Sequence, residues 1–136
     1  MNRREMMGRD SLTQTWMALA GVVLLLVGAL GFIQNPIVYS ADALLLTDSV
    51  HNIVHLATGA LALYIAFGLR GEQQINATIG FGILYVVIFA AVVVSPNLFG
   101  LFGVTANTPL HVIHAALAVV SLGVGYMARN TASTNR

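Results

Sequence analysis

Four histidines stand in two pairs, His51 with His55 and His111 with His114, in the stretches DSVHNIVH and NTPLHVIH. On a helix, residues four apart differ by about 40° around the axis and residues three apart by about 60°, so each pair shares one face. Imidazoles paired in this way on facing helices can bind zinc or copper. One His from each of two helices, beside small residues such as Gly59, Ala62, Ala115 and Ala118, can instead hold haem b. Imidazole titrates near pH 6.5 (about its ordinary value), so the same residues could sense pH or serve a transport route. The plainest use is structural. His51, His55, His111, His114, Asp48, Asn52 and Thr58 would then hydrogen-bond one another and lock helices together, each bond contributing about 1 kcal/mol.

Asp48 lies at the edge of this set, available as a metal ligand or as a partner behind one. The chain has no Cys, so thiolate metal sites, Cys-held iron–sulfur clusters and covalent haem attachment are excluded. A di-iron carboxylate centre needs about four core Glu, and the only two Glu, Glu5 and Glu72, lie outside the apolar runs. No Ser-His-Asp or Cys-His set appears, and the expected module is non-enzymatic.

The elements that position these residues follow from composition. Of 136 residues, 57% are hydrophobic and 8% charged, too few charges to cover a small water-soluble body. The net charge of +1 gives no field that would favour nucleic acid. Four continuous apolar runs, each near the roughly 20 residues that a span requires, cover about 15–33, 47–69, 75–94 and 109–127. Lipid leaves no backbone group unpaired, so these runs are expected to be helices. The expected fold is all-α, a single four-span membrane domain over residues 1–136, with up-down antiparallel helices. Thr108 is the expected N-cap of the fourth span, with Pro109 at its first helical position.

All six basic residues are Arg: Arg3, Arg4 and Arg9 before the first span, Arg70 between the second and third, Arg129 and Arg136 after the fourth. Four spans put those three regions on one side, which the positive-inside rule makes cytoplasmic. Both termini are therefore expected to be cytoplasmic. The lipid bilayer is then the main partner; a membrane-protein partner or a second copy stays open. A cleaved signal peptide is disfavoured because the first apolar run exceeds the usual length of a signal core. The outward loop containing Leu98, Phe99, Leu101 and Phe102 is expected to lie at the membrane surface, and the tail from Asn130 to fray.

On the second span, Asp48, Thr58, Gly59 and Ala62 share the His face, while Ile53, Leu56, Leu63, Tyr64 and Phe67 lie opposite. On the fourth, Ala115, Ala118, Ser121 and Gly125 continue the His face, while Ile113, Leu117, Val120 and Val124 oppose it. Small and polar residues mark helix contacts in membranes, so both His pairs should point inward, within about 12 Å of the outer ends of their helices. If the second and fourth spans are neighbours, the four imidazoles form one cluster. Gly28, Gly31, Gly80, Gly82, Gly123 and Gly125 are expected at helix contacts. Trp16, Tyr39, Tyr64 and Tyr126 are expected as interfacial or lipid-facing anchors.

The run DSVHNIVHLATGALALYIAF, a small-residue third span and the later PLHVIHAALAVVSL together resemble a family of small bacterial membrane proteins catalogued as domain of unknown function 4383. The resemblance covers about residues 15–127 and is most specific at HNIVHLATG, His51 to Gly59. It implies a four-span bundle and supports His51, His55 and His111 as family features. Asn107 and Thr108 stand where the family often has Asp-Asn, and His114 is an addition. The resemblance carries no established activity.

Overall fold

The computed structural model describes residues 3–97, 100 and 106–133. It contains four helices: α1 (Arg3–Leu30), α2 (Ser49–Gly68), α3 (Gly71–Val94) and α4 (Thr108–Ser133). Each is long and apolar enough to cross a membrane, as suits a multi-pass membrane protein. No strand occurs among the described residues; a single bridge joins Asn35 and Tyr39. Large apolar side chains such as Leu26, Phe67, Val112 and Val119 are exposed on the outside of the bundle, where lipid would solvate them.

The helices form two antiparallel hairpins, α1 against α2 and α3 against α4, laid together as a four-helix bundle. Gly21 and Gly59 set the first crossing. A Cβ on Gly21 would meet the Gly59 carbonyl oxygen at 2.9 Å, and a Cβ on Gly59 would meet the Gly21 oxygen at 3.0 Å. The two backbones therefore touch directly, which only residues without a side chain permit. In the second hairpin Gly82 faces Leu122 and Gly125 faces Ile79. Gly28 and Gly31 likewise abut α2, but Gly80 and Gly123 look onto open space. For those two the expected helix contact is absent, since each lies on the outer side of its helix.

Polar side chains complete the packing away from the histidines. Gln74 donates from Nε2 to the carbonyls of Ile65, Ala66 and Leu69 at 3.0–3.2 Å, and its Oε1 accepts from Thr13 at 2.6 Å. Gln14 adds a donor to Ala66. These residues cap the carbonyls that α2 leaves open at its C-terminus. Gly71 opens α3 with φ 57°, in the left-handed region that favours glycine, so Leu69 and Arg70 alone make the turn.

Several expectations change. Trp16 is half-buried and donates from its indole to Ser121 at 2.8 Å, so it ties α1 to α4 instead of anchoring in the interface. Leu117 is buried in the core, not turned to lipid. The tail from Asn130 does not fray at once: it holds no Pro or Gly, α4 continues to Ser133, and Thr131 donates back to the Met127 carbonyl. Leu98, Phe99, Leu101 and Phe102 lie outside the described residues.

Candidate functional site

The site is built on the first turns of α2 and α4. Asp48 is the N-cap of α2, its Oδ1 accepting from the His51 N–H at 2.8 Å. A carboxylate at this position satisfies an open donor and suits the positive end of the helix dipole. Asn52 then fixes the start of α2 against the end of α1, donating to the Gly31 carbonyl at 2.9 Å and accepting from Thr47 at 2.6 Å. On α4 the cap is Asn107, not Thr108: its Oδ1 accepts from the Leu110 N–H at 3.4 Å, and its amide donates to the Leu44 carbonyl at 3.1 Å. Asn107 is the better cap because it also ties α4 to the segment joining α1 and α2. Thr108 becomes the first helical residue and Pro109 the second, where a missing N–H costs nothing.

With both helix starts fixed, three imidazoles converge. His51 and His55 stack one turn apart on α2, ring centroids 4.3 Å apart. His114 reaches them from α4, its Nε2 3.3 Å from that of His51 and 3.2 Å from that of His55. One ligand-capable nitrogen from each lies within 4.8 Å of the others. The residues are 3%, 1% and 4% exposed, so the cluster is shielded from the surroundings.

Adjacent helices are not the cause of this meeting. Of all helix pairs, α2 and α4 have the least backbone contact. They lie diagonally across the bundle, and the imidazoles bridge the gap between them. Small neighbours on the same faces, such as Ala62 and Ala118, are fully packed in the core just below.

His111 does not join the three. It is half-buried, its ring meets Phe89 edge-on at 5.9 Å, and its Nδ1 is buried without a hydrogen-bond partner. Helix geometry accounts for the split: of the pair on α4, only the deeper His lies level with the pair on α2. Asp48 is engaged at the helix cap, and the group of converging ligand atoms includes no carboxylate.

Tyr85 is a neighbour that sequence reasoning overlooked. It is 1% exposed, its hydroxyl bonds to Thr58 at 2.7 Å, and its ring lies 6.0 Å from that of His114. Only its hydroxyl-bearing ring in the apolar middle of the third span, from Ile79 to Val94, marks it in the sequence. An open pocket of about 360 Å³, lined by residues including Val38, Tyr39, Leu46 and Thr47, lies beside the same end of the bundle.

A family model matches residues 14–127, most of the chain. The chain belongs to the family described as domain of unknown function, DUF4383. The match spans all three converging histidines as well as His111. No curated protein and no solved structure matches the chain.

Proposed function

We propose that this family member is a non-enzymatic module of the bacterial inner membrane that binds one transition-metal ion through Nε2 of His51, His55 and His114. The carrying observation is the approach of the His114 nitrogen to those of His51 and His55. A tetrahedral ion with bonds of about 2.0–2.1 Å holds its ligand nitrogens about 3.3–3.4 Å apart. His114 stands 3.3 and 3.2 Å from its two partners before any ion is added. Three protein ligands leave a coordination position for water or another small ligand. Asp48 contributes through the helix cap that orients His51, and His111 stands outside the ligand set.

Haem b fits less well. A bis-His haem sets a macrocycle between its axial imidazoles, whereas these imidazoles approach nitrogen to nitrogen. The Arg distribution supports cytoplasmic termini, which put the histidines toward the outer face.

One observation favours a second reading, a hydrogen-bonded core without a ligand: the same 3.2 and 3.3 Å separations fall near N–H···N range. Yet the His114 Nε2 carries either one proton or one lone pair, so it makes one ordinary hydrogen bond while facing two partners. A metal ion uses all three lone pairs together. X-ray absorption of zinc- or copper-loaded protein tests the choice. Imidazole scattering from about three nitrogens near 2.0 Å supports the metal site; a spectrum of loosely held, purely aqueous metal supports the hydrogen-bonded core.

A further inference from the structure

We infer that the three-histidine site favours a monovalent ion, Cu(I), over divalent zinc; this rests on the metal reading above and concerns which ion the site prefers.

The argument is one of charge. The ligands are three neutral imidazoles, and the group of converging atoms contains no carboxylate. Around them, Asp48 is at the start of α2 with its carboxylate on the His51 N–H. Tyr85 on α3 holds its hydroxyl on Thr58, and His111 on α4 adds no negative charge. Asp42 is exposed in the segment joining α1 and α2, and Glu72 opens the far end of α3. The rest of the surroundings is apolar core, including Phe81, Leu117 and Ala118.

Desolvation cost grows with the square of an ion's charge, and buried charge needs a counter-charge nearby. The one carboxylate beside the site, that of Asp48, offsets a single charge, so a dication here would keep one positive charge uncompensated unless it carried a hydroxide, whereas Cu(I) would keep none. Copper accepts imidazole ligands readily, and three imidazole nitrogens within 4.8 Å of one another supply the ligands of a three-coordinate ion.

The test supplies the detergent-solubilised protein, under anaerobic conditions, with one equivalent each of Cu(I) and Zn(II), followed by desalting and metal analysis. Retention of copper with less than about a tenth as much zinc is the expected result. Zinc retained in preference to copper, or the two held equally, would overturn the preference while leaving the metal site standing. Retention of neither ion would overturn both. A second arm uses His111→Asp, which places a carboxylate one turn from His114. This variant should shift the copper-to-zinc ratio toward zinc by at least about tenfold. An unchanged ratio in folded variant protein would contradict the charge argument.

Discussion

The Nε2 atoms of His55 on α2 and His114 on α4 lie 3.2 Å apart, although these two helices have the least backbone contact in the bundle. The contact is made by side chains reaching across the bundle diagonal. His51 completes the convergence from the turn before His55. An arrangement of this kind depends on both helix starts, and hence on Asp48 and Asn107 at their caps.

Metal binding should weaken as pH falls. The ion needs neutral imidazoles, and protons compete for the same lone pairs. A titration of zinc or Cu(I) affinity from neutral pH down through the acid range, to well below the titration of a free imidazole, should show the loss, with protons taken up as the ion is released. Affinity that is flat or rises toward acid would be inconsistent with three imidazole ligands.

Asp48→Ala should weaken metal binding without abolishing it. The substitution removes the acceptor for the His51 N–H and loosens the turn carrying His51. Cap removal costs about 1 kcal/mol, which corresponds to an affinity loss of at most about tenfold if all of it falls on the site. Complete loss of binding would mean that Asp48 is itself a ligand.

Gln74→Leu should lower stability and leave metal content untouched. It leaves the Ile65 and Leu69 carbonyls and the Thr13 hydroxyl without the Gln74 partner at the far end of the bundle. A loss of about 1–2 kcal/mol is expected, read as a lower melting temperature in detergent. A parallel loss of bound metal would show that the two ends are coupled.

Gly59→Leu should separate α1 from α2. Its side chain has no room beside Leu25 and the Gly21 carbonyl. Overpacking of this type costs about 1–3 kcal/mol, again measurable as a fall in melting temperature. The matching change at Gly123, where a Cβ meets nothing within 4 Å, should have little effect; equal effects would contradict the described crossing.

Much of this architecture is legible in the chain because the controlling rules are local. Continuous apolar runs announce the helices, and the spacing of His51 with His55 announces a shared face. The inward placement of Thr58, Ala62, Ala118 and Ser121 follows from their size and polarity, and all four are buried. What was hidden depends on inter-helix register. No local rule separates His114 from His111, because both sit on the same face and differ only in level along α4. Nor does any local rule pair Trp16 with Ser121 or Tyr85 with Thr58, which come together only when hairpins dock. Leu117 departs from its expected lipid-facing place because size indicates lipid exposure only on average, and this Leu fills the layer shared with Tyr85 and Ala118.

The most direct test is metal stoichiometry in parallel for the unmodified protein, His114→Ala and His111→Ala. Each is loaded with zinc or Cu(I), desalted and analysed for metal per chain. The account expects about one ion per chain in the unmodified protein and in His111→Ala. It expects an affinity lower by at least about 100-fold in His114→Ala, since a ligand is lost outright and even partners behind a ligand contribute 10–100-fold. No bound ion in the unmodified protein, or equal retention with and without His114, would contradict it.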